Sequence, residues 1–346
     1  MYDLSDDLPA LRTHAASLVR LGIRSSTART YNSAQKRYLA FCDQVKFNPL
    51  PCTEELILLF VSYLDRQGLK GASVRVYLSA VRSLHIEEGY DYSLCQSLRL
   101  QRALRALVIN GQAPQQKLPI TLDILFRMLG VLPLSYDGSV YWAAMTLAFY
   151  GCLRAAELCA AGTFNPDFNL CFRDVRFLCH ANTDYLSVRI KRSKTDTENK
   201  GFCVSIGCAD AIACSHCSMH AMLAARASSA LPTSPDSPLF LLSSGLPLSK
   251  QLFISKTKAC LLALGLDHKR YSGHSYRAGS ATSAALAGFA DFELQLLGRW
   301  SSSAYQQYIR APTSLLIGYS ARLAHQSAAA PQPQHLVPSR LFGTDH

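Results

Sequence analysis

Near the end of the chain, LGRWSSSAYQQYIR carries two tyrosines, Tyr305 and Tyr308, with Trp300 ahead of them. A phenol becomes a nucleophile only when a neighbour takes its proton, since its free pKa is about 10; the same rings also serve as packing aromatics. Upstream, SGHSYRAGSATSAALAG places His274 and Arg277 at i, i+3 on one face of a helix start. There an imidazole can carry a proton and a guanidinium can grip an anion with two donors. YGCLRAAEL sets Arg154 and Glu157 at the same spacing inside an apolar stretch. An arginine so placed needs an anion or a carboxylate, because an unpaired buried charge is costly. The polar run KRSKTDTENKG carries Lys191, Arg192, Lys194 and Lys200. A lysine at a hairpin tip can swing over a phosphate, and it can equally serve to keep a hairpin soluble. Taken singly, none of these islands decides between its chemical use and its ordinary one.

The elements that must position them read as mostly helical. Thr27 is a candidate cap for ARTYNSAQKRYLAFCDQ. Thr53 precedes EELILLFVSYLDRQ, with Gly68 as its stop, and Ser73 precedes VRVYLSAVRSLHIEE, with Gly89 after it. In that last segment Val74, Leu78, Val81 and His85 share a face at helical spacing. A fourth helix covers Cys95 to Leu107. NGQAPQQK, from Asn110, is polar with Gly and Pro, the composition of a linker. Beyond it, helices are expected near 121–132 and 139–161. The alternating runs DYLSVRIKR and FCVSIG then form a hairpin, and helices return near 209–229, 249–264, 275–287, 291–298 and 302–310. The Ala/Pro/Gln-rich end reads as a flexible tail.

Composition sets the bounds. The chain has 346 residues, enough for two domains, and 49% are apolar, enough for sizeable cores. Thirty-five Lys and Arg against 24 Asp and Glu leave a formal charge of +11, which favours a polyanionic partner. The start, MYDLSDDLPALRTH, lacks the basic region of a signal peptide, and no apolar run is long enough to span a bilayer. An intracellular protein is expected: nuclear in a eukaryote, otherwise in the cytoplasm or nucleoid. The twelve scattered cysteines then read as reduced, mostly buried thiols. Cys214-x-x-Cys217, with Cys208, His216 and His220 nearby, has zinc-binding elements but no second Cys pair, so no metal and no cofactor are expected.

Together and in this order, the islands resemble the tyrosine recombinases and integrases of phage, Xer and Cre type. The flavour is that of the recombinases of eukaryotic Crypton- and DIRS-type mobile elements. The phrases that carry the resemblance are SKTD, YSGHSYRAGSAT and LGRWSSSAYQQYIR, and it covers roughly residues 20 to 324. By that resemblance, Arg154, Lys194, His274, Arg277, Trp300 and Tyr308 are the catalytic set. Tyr308 is the nucleophile, since it precedes the apolar-basic YIR; Tyr305 is its rival, and Lys191 and Lys200 are rivals of Lys194.

What the resemblance implies is an α+β chain, mainly α with a small sheet, folded as a C-shaped clamp on DNA. Residues 1–112 form a helical, SAM-like core-binding domain, 113–324 the catalytic domain and 325–346 a tail. The two arginines hold the phosphate oxygens and His274 assists the nucleophile's proton. Lys194 protonates the leaving 5′-oxygen, Trp300 donates its N–H or packs behind the tyrosine, and Glu157 orients nearby cations. The reaction is site-specific cleavage and rejoining of DNA through a 3′-phosphotyrosyl bond, without metal or ATP. Candidate phosphate contacts are Arg29, Arg37, Arg75, Arg82, Lys191 and Arg192. The partner is double-stranded DNA, bound by a tetramer over two sites that is monomeric or dimeric without it, with Thr313–Leu323 as the exchanged helix; no membrane is involved. A silent, domesticated DNA-binding protein, a type IB topoisomerase-like enzyme and a helical scaffold with accidental motifs are the alternatives.

Overall fold

A computed structural model describes residues 7–111, 115–160, 162–194, 196, 198, 200–300 and 302–309. The chain divides into two compact units, Met1–Pro114 and Gln115–His346. The segment 313–323 and the tail 325–346 lie outside the described residues.

The first unit is all helical: α1 (Leu8–Leu21), α2 (Ser25–Val45), α3 (Glu54–Arg66), α4 (Gly71–Glu87) and α5 (Leu98–Ile109). Thr53 caps α3 by accepting from the Leu56 N–H, and Glu54 and Glu55 sit in its positive first turn. Ser97 caps α5 in the same way, through the Leu100 N–H, and also donates to Glu54. Two starts fall ahead of the expected caps. Helix α2 begins at Ser25, because nothing in SSTA breaks the turn before Thr27. Helix α4 begins at Gly71, where a Cβ would lie 3.3 Å from the Leu107 side chain, so a glycine lets the two helices approach.

The core of this unit is a cluster of Tyr38, Phe41, Leu56, Ile57, Phe60, Leu64, Val74, Leu78, Val81, Leu100 and Leu104. Tyr38 meets Phe60 edge-on at 5.1 Å, and its hydroxyl donates to the Pro49 carbonyl. His85 is fully buried on the apolar face predicted for α4. Its Nδ1 lies 2.8 Å from the Val81 carbonyl and its Nε2 accepts from the Cys52 N–H, which sets Nδ1 as the protonated nitrogen. Helix α1 buries none of its residues.

The second unit contains α6 (Leu122–Leu129), α7 (Tyr136–Tyr150), α8 (Ala155–Leu158), a sheet of β1 (Val175–His180), β2 (Thr183–Ile190) and β3 (Phe202–Gly207), then α9 (Ser215–Ala227), α10 (Lys250–Ala263), α11 (Ser275–Leu286), α12 (Asp291–Gly298) and a 3₁₀ turn at Ser303–Gln307. Helix α7 is buried all round, the mark of a central helix. Its Thr146 hydroxyl is satisfied by the Trp142 and Ala143 carbonyls and by Ser218 of α9. The sheet is antiparallel in the order β1-β2-β3. Leu186 pairs with Ile206 and Val188 with Val204, and these four turn to the core with Ile190.

Three expectations change. The helix expected over 139–161 is two, because the chain breaks at Gly151–Arg154. Cys152 takes a left-handed φ of 48° there, and the Leu153 N–H reaches back to the Ala148 carbonyl. Strand β1 was not legible because five of its six residues are exposed and it shows no alternation. The last helix, expected over 302–310, is a five-residue 3₁₀ turn. Among the described residues no helix is long and apolar enough to cross a membrane.

Candidate active site

The break between α7 and α8 builds one wall of the site. The left-handed turn at Cys152 aims successive carbonyls at two guanidinium groups. The Cys152 carbonyl accepts from Arg277 Nη1 at 2.7 Å and Arg299 Nη2 at 3.3 Å, and the Gly151 carbonyl accepts from Arg299 Nη1 at 3.0 Å. Arg154 then caps α8 in an extended conformation. Its N–H donates to Glu157 Oε2 at 2.9 Å, and its Nη1 donates to Oε1 at 2.7 Å and to Ser193 Oγ at 3.1 Å. Ser193 in turn donates to Glu157 Oε1 at 2.8 Å. The Glu157 side chain is only 3% exposed, so this carboxylate fixes the guanidinium while leaving Arg154 Nη2 with no hydrogen bond to Glu157 or Ser193.

The second wall is the start of α11. Gly273 lies where a Cβ would come within 3.0 Å of Ala155 Cβ, so the His274 turn packs directly on α8. A Cβ on Gly279 would fall 1.7 Å from the Ile120 carbonyl, so only glycine lets α11 sit this close to the segment before α6. Arg277, one turn in from His274, is 1% exposed, and its Nη2 donates to the Gly298 carbonyl at 2.6 Å. Its Nε–H is buried without a partner; an anionic oxygen is an acceptor of the kind it needs.

The third wall is LGRW. A Cβ on Gly298 would overlap the Trp300 ring at 1.8 Å, so the indole lies flat on that glycine. Arg299 adopts a left-handed φ of 55° and turns its side chain inward, stacking on Phe202 at 4.4 Å. Trp300 covers Arg277 at 4.2 Å, and the Tyr308 ring lies 5.4 Å from Trp300 and 5.5 Å from the Arg277 guanidinium. Thr282 donates to the Tyr308 carbonyl, tying the segment to α11. Tyr305, the rival, is 2% exposed and packs with Ala284 and Leu294 as a core residue.

The structure thus brings Arg154, Glu157, Arg277, Trp300 and Tyr308 to one place, with His274 at its edge. Lys194 is exposed in the β2–β3 loop, whose Asp196 accepts from the Lys200 and Gly201 N–H groups. A recess of about 210 Å³ opens between that loop and LGRW, lined by Arg154, Ser193, Asp196, Gly201, Phe202 and Arg299. The electrostatics favour an anion. Desolvation first, and then the charge of Arg154 among its neighbours, push the Arg277 guanidinium below its ordinary range, and Arg299 is lowered by desolvation as well. Cys152 and Glu157 oppose this lowering from among the buried groups, and a phosphate would relieve the remaining repulsion between the guanidinium groups.

His274 has an exposed edge, yet it too is lowered, by partial desolvation and then by the charges of Arg154, Lys250, Arg277 and Lys194. A depressed histidine stays neutral, and able to accept a proton, to a lower pH than a free one. By linkage, stability is fully present above the unfolded value near 6.5 and falls as the pH drops below it, because the unfolded chain takes up the proton first. The His274 ring is therefore expected to titrate below the ordinary histidine value, and an NMR pH titration of its ring protons that placed it above that value would contradict this environment.

Two expected contacts read differently in three dimensions. Lys191 is not available to DNA: its Nζ pairs with buried Asp174 at 2.6 Å and donates to the Pro166 and Asn169 carbonyls. Arg37 is half-buried between the Tyr63 and Tyr77 rings, so its charge serves packing in the first unit. Arg192 is exposed and lies over the Phe168 ring at 3.9 Å. Arg29, Arg75 and Arg82 are exposed. Arg75 and Arg82 line a groove between α4 and α5 with Ser79 and Gln101. Exposed Arg102 and Arg105 of α5 continue the basic surface. These, with Arg299 and Ser193, went unread in the sequence; arginines at 99, 102 and 105 in LRLQRALRAL were the available signal.

Comparison with known proteins agrees with this layout. Residues 18–87 match the phage integrase N-terminal SAM-like domain family. No curated protein matches the sequence. Among solved structures, lambda integrase bound as a dimer to a COC′ core site is similar at 18% identity and a TM-score of 0.55, covering 87% of this chain and 94% of that one. The recombinase XerH, in a post-cleavage complex with palindromic difH substrate, is similar at 14% identity and a TM-score of 0.59, covering 86% and 80%. The Tn1549 transposon integrase, in complex with transposon right end DNA, is similar at 16% identity and a TM-score of 0.54, covering 87% and 95%. The chain has the tyrosine-recombinase fold. Its first unit carries the SAM-like helical domain of that fold, and its second holds the three-stranded sheet and the arginine-lined recess that precede Tyr308 in chain order.

Proposed function

We propose that this tyrosine recombinase-like chain is a site-specific DNA recombinase, with Tyr308 as its nucleophile. The observation that carries the reading is the stack of Tyr308 and Trp300 over a buried guanidinium, Arg277, beside a second one fixed by Glu157. In this reading the Tyr308 oxygen attacks phosphorus and its proton passes toward His274. Arg154 and Arg277 hold the two non-bridging oxygens as charge builds, a role for which a fork of permanently charged donors is suited. The P–O5′ bond breaks, and Lys194 gives the leaving oxygen its proton. A 3′-phosphotyrosyl bond and a free 5′-hydroxyl result. Attack by a 5′-hydroxyl from another strand reverses the step and exchanges the strands. One phosphodiester bond is conserved throughout, so the balance needs neither a metal nor ATP. The partner is double-stranded DNA, gripped in part by the Arg75–Arg82 groove of the first unit, and a tetramer on two sites completes the exchange.

The test uses a nicked suicide duplex that loses its 5′-hydroxyl fragment after cleavage. The full chain is expected to become covalently joined to the 3′ end of the cut strand in buffer containing EDTA. A panel of candidate sites that yields binding without any covalent product would leave a DNA-binding protein and overturn the recombinase reading.

A further inference from the structure

Where β3 ends and α9 begins, three thiols and an imidazole converge. Cys208 directly follows β3, Cys214 caps α9, and His216 and Cys217 lie in its first turn. The Cys208 and Cys217 sulfurs are 3.7 Å apart, and the Cys208 and Cys214 sulfurs 3.9 Å. A disulfide would bring two sulfurs to about 2.05 Å. A tetrahedral zinc with bonds of about 2.3 Å holds its sulfurs about 3.8 Å apart, and the two observed separations bracket that spacing. Cys208, Cys217 and a ring nitrogen of His216 all lie within 4.8 Å of one another. The Nδ1 of His216 is buried and has no hydrogen-bond partner. Phe177 meets the imidazole edge-on at 5.1 Å and fixes its plane. The Ala209 N–H points at Cys214 Sγ at 3.4 Å, a hydrogen bond of the sort that steadies a ligating thiolate.

We propose that Cys208, Cys214, His216 and Cys217 bind one zinc ion that staples the end of β3 to the start of α9. Three thiolates and an imidazole are soft and borderline donors, which select zinc over magnesium or calcium. With four protein ligands the site is closed, so the ion is structural and takes no part in phosphoryl transfer. It also sits at the opposite end of β3 from the Lys194 loop, about 20 Å away at the rise of an extended strand. The missing second Cys pair, which spoke against zinc in the sequence, is replaced by a single thiol delivered by the strand. The consequence reaches the site through packing: α9 lies against α7, and α7 leads into the Cys152–Arg154 break.

The test is metal analysis of the full-length protein, expressed with zinc and purified without chelator. About one zinc per chain is expected. Cobalt(II) exchange should give the visible bands of a tetrahedral ion and a thiolate-to-cobalt charge-transfer band. Cys208→Ser and Cys217→Ser should each lose the metal, while Cys179→Ser and Cys203→Ser, at exposed strand positions, should keep it. If a ligand variant does not fold, the wild-type cobalt spectrum still decides, since its charge-transfer intensity counts the thiolates. Zinc far below one per chain, a different metal in its place, or an octahedral cobalt spectrum would overturn the proposal.

Discussion

Tyr308→Phe is expected to lower covalent DNA cleavage by at least about four orders of magnitude, the scale seen when a covalent nucleophile is removed, while DNA affinity and thermal stability stay close to wild type. The ring contributes its face to Trp300 and Arg277, and the main chain contributes the carbonyl that Thr282 bonds. Phenylalanine keeps all three contacts and deletes only the oxygen. Tyr305→Phe separates the two phenols in the other direction. Its ring is a core element among Ala284 and Leu294, so cleavage should persist there at a rate set by how well that small cluster holds. Single-turnover cleavage of the nicked duplex, with binding measured separately on an intact one, reads both variants.

Arg277→Ala is expected to reduce cleavage by about 10²- to 10³-fold, the usual loss when one donor to a developing oxyanion is removed. It should also destabilise the fold. The guanidinium fills a fully enclosed position under Trp300 and satisfies the Cys152 and Gly298 carbonyls. The Gly298 carbonyl, left without this donor, costs about 1–3 kcal/mol, whereas the Cys152 carbonyl keeps its longer bond from Arg299. Arg277→Lys distinguishes charge from geometry. A lysine retains the positive charge, but one ammonium on a flexible stem cannot reproduce the fork that spans Cys152 and Gly298 while facing an anion. The lysine variant is therefore expected to recover DNA affinity more than cleavage rate. Equal recovery of both would mean that Arg277 acts only as a bulk charge.

How much of this could be read from the chain follows from how local each signal was. Thr53 and Gly68 mark α3 because a cap and a stop are chemistry of single residues. The Val74–Leu78–Val81–His85 face was visible because helical spacing repeats, and all four residues are buried. The Arg154–Glu157 bond was open to reading for the same reason, as an i, i+3 pair. What stayed hidden depends on contacts far apart in the chain. Ser193 joins that pair from 36 residues beyond Glu157, and Arg299 enters the site only because its own φ is left-handed. Lys191 looked like one more basic residue of a loop until Asp174 and two carbonyls closed around it. Strand β1 carries no alternation because five of its six residues are exposed. Cys208, Cys214 and Cys217 were visible as neighbours in the chain, but the convergence of their sulfurs depends on the fold of the turn between β3 and α9.

In the proposed mechanism Tyr308 takes the phosphate. The most direct measurement is to trap the protein on the nicked duplex, digest both components, and locate the nucleotide-bearing peptide by mass spectrometry. A single modified peptide is expected, with the 3′-phosphate on Tyr308 and no adduct in Tyr308→Phe. An adduct on Tyr305, or an undiminished adduct in Tyr308→Phe, would contradict it.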